Sequence, residues 1–117
     1  MYRIQFTDDG LRDVKALPKN IRNALSRELK NALAKDPEGC SEKLREPLAG
    51  WHSFHSGKYR VIFKLYRDLK VIAVAGIGKH SSQATQDVYR RLERLAKSGR
   101  LAEDILASLR LFSRYKE

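Results

Sequence analysis

Residues 51–80 constrain the fold more than any other part of the chain, because they alternate strand-like runs with short turns. The first turn is Gly57 and Lys58, and glycine at its first position suits a type II′ turn, which matches the twist of paired strands. Arg67 and Asp68 form the second turn. The predicted strands are residues 51–56, 59–66 and 69–77. Runs of this length joined by two-residue turns predict an antiparallel meander.

The turns also predict which side chains share a face of the meander. With the first turn in place, His55 pairs with Arg60, and paired side chains point to the same face. A two-residue second turn places Ala75 opposite Arg60. Counting by twos from Ala75 brings Lys79 to that face as well. The sequence therefore predicts a cationic cluster of His55, Arg60 and Lys79.

This cluster has the chemistry of a phosphate site. Small side chains at Ala73 and Ala75 predict a shallow cup beneath it, with His80 at the rim. A guanidinium offers a planar fork to phosphate oxygens, and an imidazole moves protons. The alternative is a solvated sheet face on which basic side chains alternate outward. His52 shares the parity of Phe54, so it is predicted to be partly buried and hydrogen-bonded, away from the cluster.

The flanking segments predict one more strand and several helices. Residues 2–7 alternate apolar and polar side chains, as a half-buried strand does. Thr7 suits the N-cap of a short helix. Pro18 opens a second helix that runs to about Lys35, where Asp36 and Pro37 end it. Further helices are predicted at residues 87–96 and 101–112.

Together these elements predict an α+β fold. It consists of an N-terminal strand, a helical hairpin, a three-stranded antiparallel meander completing a small twisted antiparallel sheet, and C-terminal helices, with helices mainly on one side. The length of 117 residues fits one domain. Residues 1–97 form its body, and residues 98–117 form a helical extension that packs on the body, on a second copy or on a partner. The connector at residues 38–50 has no predicted element.

Charge and cysteine content restrict the partners and the compartment. The net charge of +10 predicts a polyanionic partner, either nucleic acid or an acidic protein, against the alternative of a basic protein without one. The single cysteine, Cys40, permits no disulfide within the chain and has no metal-ligand spacing with the histidines, so no metal site is expected. No apolar run approaches the roughly 20 residues of a membrane span. The expected location is cytoplasmic.

Three stretches in this order resemble the RelE/ParE superfamily of bacterial type II toxin–antitoxin toxins: LREPLAGWHSFHSGKYRVIFKLY, IAVAGIGKH and DVYRRLERL. The resemblance covers residues 2 to about 96. It implies a toxin that forms a hetero-oligomer with an antitoxin. In RelE-like members it implies a metal-independent and cofactor-free mRNA endoribonuclease, usually acting on the ribosome, in which the 2′-hydroxyl attacks the scissile phosphate. The alternatives are a ParE-like inhibitor of DNA gyrase and a non-catalytic nucleic-acid-binding relative.

The resemblance also implies catalytic roles for individual residues. Arg60 matches the arginine that holds the scissile phosphate. Lys79 and His80 match the basic pair that follows the third strand of the meander. Tyr89 matches an aromatic residue that stacks on a base or transfers a proton, although its position on an amphipathic helix also suits the core.

Two further positions depart from the family pattern. His55 and Ser53 match alternate positions that are commonly basic in RNA-cleaving members. His55 is counted with the catalytic residues because an imidazole serves as acid or base. Ser53 and Lys58 are expected to contact RNA. The neutral Ser53 weakens the cationic set, which would also suit a ParE-like member.

Overall fold

The computed structural model describes residues 1–46, 48–79 and 83–98, which contain a five-stranded sheet. Its strands are β1 (Arg3–Phe6), β2 (Ser41–Lys43), β3 (Trp51–Ser56), β4 (Tyr59–Tyr66) and β5 (Val71–Lys79). The helices are α1 (Asp8–Lys15), α2 (Lys19–Glu28) and α3 (Gln83–Ser98). The spatial order is β1-β5-β4-β3-β2, so the meander β3-β4-β5 forms the centre of the sheet. The predicted α+β class is confirmed.

The helical hairpin follows its sequence signals. The Thr7 hydroxyl accepts a hydrogen bond from the Gly10 amide at 3.1 Å and so caps α1, as predicted. Pro18 is the N-cap of α2. The helix then continues as a π-helical segment, Leu29–Leu33, which places both of these leucines in the core. The hairpin therefore presents one apolar face to the sheet.

The larger part of the core lies between this hairpin and the sheet. Phe63 at its centre is completely buried. The buried members of this hairpin-side core are Val14, Leu25, Leu29, Leu33, Phe54, Val61, Phe63, Ile72, Val74 and Ile77. Long and branched side chains from both layers fill the space, as close packing of a helix layer on a sheet requires.

Helix α3 packs on the opposite face of the sheet, which corrects the prediction that helices lie mainly on one side. The buried members of this α3-side core are Leu48, Trp51, Ile62, Ala73, Ala75, Val88 and Leu92. The cup predicted over Ala73 and Ala75 is therefore filled by α3. The small side chains of Ala73 and Ala75 do not form an exposed cup. They allow a helix to approach the strand closely.

Two features of the sheet differ from the prediction. Strand β1 pairs in parallel with β5, from Arg3 opposite Val71 to Phe6 opposite Val74. Strand β2 comes from the unassigned connector and pairs antiparallel with β3. With the sequence Ser-Glu-Lys, this short strand has no apolar alternation to reveal it, and its pairing depends on β3.

The connection from β4 to β5 also differs from the predicted tight turn. It occupies residues 67–70, and Lys70 adopts a left-handed φ of 56°. A β-bulge follows, because Ile62 pairs with Gly76 whereas Phe63 pairs with Val74. Ala75 is thus an extra residue in β5, and the residue opposite Arg60 is Gly78 rather than Ala75.

The C-terminal part of the chain is described as far as Ser98. Helix α3 begins at Gln83, earlier than the predicted residue 87, and ends at Ser98. His80, the helix predicted at residues 101–112 and almost all of the proposed extension lie outside the described residues. Within the residues that are described, no helix has the length and apolarity needed to cross a bilayer.

Candidate functional site

The β3–β4 hairpin brings His55 and Arg60 together as a cross-strand pair, as predicted. Gly57 in its turn has a φ of 58°, the left-handed value that the first position of a type II′ turn requires. The tight turn fixes the register, so the two side chains share one face. The His55 side chain is exposed, and that of Arg60 is half-buried.

Tyr89 of α3 completes this arrangement. Its hydroxyl oxygen lies 3.4 Å from the Arg60 guanidinium and accepts a hydrogen bond from Nη1. The half-buried Tyr89 ring also packs against the α3-side core. Both interpretations of this tyrosine are therefore compatible, because the ring anchors the side chain while the hydroxyl faces the cation. His55, Arg60 and Tyr89 together are called the Arg60 site below.

Lys79 does not belong to the Arg60 site, contrary to the prediction that it shares a face with His55 and Arg60. Lys79 lies opposite Tyr59, and Arg60 lies opposite Gly78. The cause is the bulge at Ala75. One extra residue reverses the alternation of side chains in the rest of the strand, so counting by twos past the bulge gives the wrong face.

Lys79 instead borders a cavity of about 390 Å³ on the hairpin side. The cavity lies between α2 and the end of the β3–β4 hairpin, and Lys58 also contributes to its wall. The apolar side chains that line it are Ile21, Ala24, Leu25 and Tyr59. In the same wall the Ser56 hydroxyl donates a hydrogen bond to the Glu28 carboxylate. Lys58 and Lys79 are thus neighbours of this cavity, and the expected contact of Lys58 with RNA stays a prediction.

Ser53 lies on the face of the Arg60 site but is covered. It pairs with Ile62 and is only 1% exposed. Among the described residues its hydroxyl has no hydrogen-bond partner. A direct contact between Ser53 and RNA therefore requires movement of the side chains above it, and that role also stays a prediction.

His52 occupies the opposite face, as its parity predicts. Its ring is 6% exposed and stacks on Phe63, with the ring centroids 5.2 Å apart. The Ser41 hydroxyl lies 3.4 Å from Nδ1. Burial lowers the pKa of the His52 imidazole, and the nearby Glu38 carboxylate opposes part of that shift.

An ion pair of α3, the helix that carries Tyr89, was missed by sequence reasoning. Arg91 Nη2 of α3 lies 2.8 Å from Asp13 Oδ2 of α1. Burial disfavours the charged guanidinium, but the hydrogen bond and charge of Asp13 outweigh this and raise the pKa of Arg91. The signal for such a contact was a charged residue three positions after Val88 on the buried side of the helix. The partner, far away in sequence, had no signal.

The rest of the described chain offers few alternatives for a catalytic centre. No group of three or more histidine, cysteine, aspartate and glutamate side chains in residues 1–46, 48–79 and 83–98 could hold a metal ion. The Cys40 thiol donates to the Asp36 carbonyl at 3.0 Å, and burial raises its pKa. A protonated, hydrogen-bonded thiol is a poor nucleophile. The Arg60 site is therefore the candidate for function.

Comparisons with known proteins point to one group. The family model described as "ParE toxin of type II toxin-antitoxin system, parDE" matches residues 4–84. Toxin RelG of Mycobacterium tuberculosis is 27% identical over 90 residues, which cover 77% of this chain and 98% of the relative.

Solved structures agree in fold. A chain of the toxin–antitoxin complex RelBE2 from Mycobacterium tuberculosis superposes with a TM-score of 0.63 at 26% identity, over 68% of this chain and 96% of that one. The isolated E. coli RelE toxin superposes with a TM-score of 0.57 at 21% identity, over 79% of this chain and 99% of that one.

Proposed function

The chain belongs to the ParE toxin family within the RelE/ParE superfamily of type II toxin–antitoxin toxins, and from this premise we propose that it is a metal-independent endoribonuclease that cuts ribosome-bound mRNA. The observation that carries the proposal is the Arg60 site. A guanidinium, an imidazole and a phenol meet on one face of the sheet, with Arg60 Nη1 at 3.4 Å from the Tyr89 hydroxyl. These are the groups that a metal-free attack on a phosphodiester needs.

Each group has a distinct role in the proposed reaction. Arg60 binds the non-bridging oxygens of the scissile phosphate and stabilises the charge that develops on the phosphorane. His55 removes the proton of the 2′-hydroxyl, and the 2′-oxygen then bonds to phosphorus. Tyr89 donates its proton to the departing 5′-oxygen. The products are a 2′,3′-cyclic phosphate and a free 5′-hydroxyl.

The surroundings of the site support these roles. The Tyr89 ring is held by the α3-side core, so its hydroxyl is positioned before RNA arrives. Such preorganisation is the main source of transition-state stabilisation in charged reactions. His55 is exposed at the edge of the hairpin and accessible to a nucleotide.

An end-mapping experiment tests the proposal. The full chain is added to a translating extract, and new 5′ ends of the mRNA are mapped. We expect cleavage, and we expect Arg60→Ala to reduce its rate by about 10²–10³-fold, since it removes the phosphate-binding cation. Loss of a general base in His55→Ala reduces it by about 10²–10⁴-fold.

The matched control is Arg67→Ala, which removes an arginine in the β4–β5 connection, where Arg67 pairs with Glu38 at 2.8 Å. This variant keeps wild-type cleavage. Intact messages in the presence of the wild-type chain, or equal cleavage by Arg60→Ala, would overturn the proposal.

Inhibition of DNA gyrase is the second candidate function. Two observations favour it: the matching family model is that of a ParE toxin, and the bulge removes Lys79 from the face of Arg60. Gyrase-linked DNA breaks on induction, without new mRNA ends, would establish this function. Unimpaired growth on induction without a partner would instead indicate a non-catalytic relative.

We also propose an antitoxin partner and a cytoplasmic location, where mRNA is translated. Solved relatives include toxins crystallised with antitoxins, such as the E. coli RelBE complex. The net charge of +10 on this chain is complementary to an acidic antitoxin. Co-purification of the two chains as a hetero-oligomer, with loss of toxicity, is the expected result.

A further inference from the structure

Beyond the end of β1, backbone groups at the edge of β5 form hydrogen bonds with side chains rather than with another strand. Strand β1 ends at Phe6, opposite Val74, and the chain then turns into α1. Beyond that point the Ile77 amide donates to Asp13 Oδ2 at 2.9 Å, and the Ala75 carbonyl accepts from Arg91 Nη2 at 3.3 Å. A carboxylate and a guanidinium thus bind two backbone groups of β5 beyond the end of β1.

These two side chains also bind each other across the sheet edge. Asp13 belongs to α1, on the hairpin side, and Arg91 belongs to α3, on the opposite side. Their contact is bidentate, with Nη2 to Oδ2 at 2.8 Å and Nη1 to Oδ1 at 3.3 Å. Both are shielded from solvent, at 28% and 18% side-chain exposure for Arg91 and Asp13. The pair therefore connects the helices of both layers at one point of β5.

At Gly76 the distance between β5 and α3 is too small for a larger side chain. A Cβ atom at Gly76 would lie 2.7 Å from Val88 Cγ1 and 2.9 Å from Arg91 Nη2. The backbone of β5 and helix α3 thus touch at the residue between Ala75 and Ile77. The position of α3 along the strand is fixed here by contact as well as by the ion pair.

Tyr89 lies between the two residues of α3 that touch Gly76. Val88 precedes it and Arg91 follows it by two positions. Any shift of α3 along or away from β5 moves the Tyr89 hydroxyl relative to Arg60 Nη1. We propose that Asp13 and Arg91 are positioning residues, which hold α3 so that Tyr89 meets Arg60. The catalytic part of this inference rests on the proposed function.

A shielded ion pair is a poor device for stability alone, because desolvation of both charges offsets most of their attraction. A planar bidentate pair that also satisfies two backbone groups is instead a precise geometric constraint. Removal of the pair must therefore change the geometry of the Arg60 site, and not only the melting temperature.

Kinetics of mRNA cleavage provide the first readout. Asp13→Asn weakens the pair while keeping the size of the side chain. We expect kcat to fall by about 10–100-fold, since a displacement of roughly 1 Å at a reacting group costs about that much. KM should change less than kcat, because Arg60 still binds phosphate. Arg91→Lys, which keeps the charge but not the fork, should retain an intermediate kcat.

Non-additivity identifies Tyr89 as the residue through which the pair acts. Tyr89→Phe should reduce kcat in the wild-type background and have little further effect in Asp13→Asn. The control is Arg67→Gln, which breaks the exposed bidentate Arg67–Glu38 pair of the β4–β5 connection. It should leave kcat and the Tyr89 effect unchanged.

A readout independent of activity uses the full chain labelled with 3-fluorotyrosine, with the Tyr89 ¹⁹F resonance assigned by its loss in Tyr89→Phe. Asp13→Asn and Arg91→Lys should shift this resonance and speed hydrogen exchange of the Ile77 amide. Faster Ile77 exchange with an unchanged Tyr89 resonance would overturn the positioning role. This holds even if the wild-type chain cleaves no RNA, an outcome that would overturn the proposed function alone. If Asp13→Asn does not fold, Arg91→Lys decides by the same resonance.

Discussion

The two faces of the sheet are built on different principles. On the hairpin side, large apolar side chains such as Phe63 and Leu33 fill the space between the layers. On the α3 side, the small residues Ala73, Ala75 and Gly76 leave little side-chain volume between β5 and the helix. One face gains stability from buried volume, and the other gains a close approach of helix to strand.

This difference has a consequence for function. Because α3 lies close to the strand, its polar side chains reach the sheet. Tyr89 hydrogen-bonds to Arg60, and Arg91 hydrogen-bonds to the backbone of β5. Both faces therefore stabilise the fold, and the α3 side in addition brings Tyr89 to Arg60.

The largest expected effect comes from the same truncation on each face. Leu33 on the hairpin side and Leu92 on the α3 side are both 0% exposed. Leu33→Ala and Leu92→Ala should each lower the free energy of unfolding by about 2–5 kcal/mol. Urea denaturation measures this loss.

Activity per folded molecule should separate the two variants. Leu92→Ala leaves a cavity under α3, three residues from Tyr89, and should lower the cleavage rate of the folded fraction. Leu33→Ala leaves the Arg60 site intact and should not lower the cleavage rate of the folded fraction. Equal loss of activity in both variants, at concentrations corrected for unfolded protein, would mean that the two faces do not divide these tasks.

A smaller effect is expected where α3 touches the strand. Gly76→Ala places a methyl group 2.7 Å from Val88 Cγ1 and 2.9 Å from Arg91 Nη2, so these side chains, α3 or β5 must shift. Overpacking of this kind costs about 1–3 kcal/mol. The double variant Gly76→Ala with Val88→Ala relieves that contact and should recover part of the stability in thermal melts. If Gly76→Ala alone melts like the wild type, the close approach of helix and strand has no energetic weight.

Sequence reasoning predicted those parts of the fold that depend on local rules. The strands Trp51–Ser56 and Tyr59–Tyr66 and the turn at Gly57 follow from alternation and turn chemistry. The pairing of His55 with Arg60 follows from that turn. Each of these features depends on residues that are close in sequence.

The errors arose where distant residues decide. The only sign of the bulge at Ala75 in the sequence of β5 is the neighbouring Gly76, yet the bulge moves Lys79 to the other face. Strand β2 depends on β3, and the Arg91–Asp13 pair depends on two helices that meet only in the folded chain. The small residues Ala73 and Ala75 suited an exposed cup and a helix contact equally well. Only the position of α3 distinguishes these alternatives.

The smallest expected effect concerns pH and belongs to the hairpin side. Burial lowers the pKa of His52, which stacks on Phe63, below its unfolded value of about 6.5. Between these two pKa values the unfolded chain binds the proton more readily. The stability contributed by neutral His52 is therefore complete above about pH 6.5 and is lost as the pH falls through that value toward the lowered pKa of the folded state.

Urea denaturation at a series of pH values from about 7.5 to 5, a range chosen to bracket the unfolded pKa, measures this term in the wild type and in His52→Gln. Glu38, Lys43 and Arg67 are the charged groups that act on His52, and they are the same in both proteins. The difference between the two curves therefore isolates the imidazole. The wild type should lose more stability on acidification than His52→Gln does. Parallel curves would show that the hairpin side stabilises the fold without any contribution from the protonation state of His52, and would make that face purely a matter of buried volume.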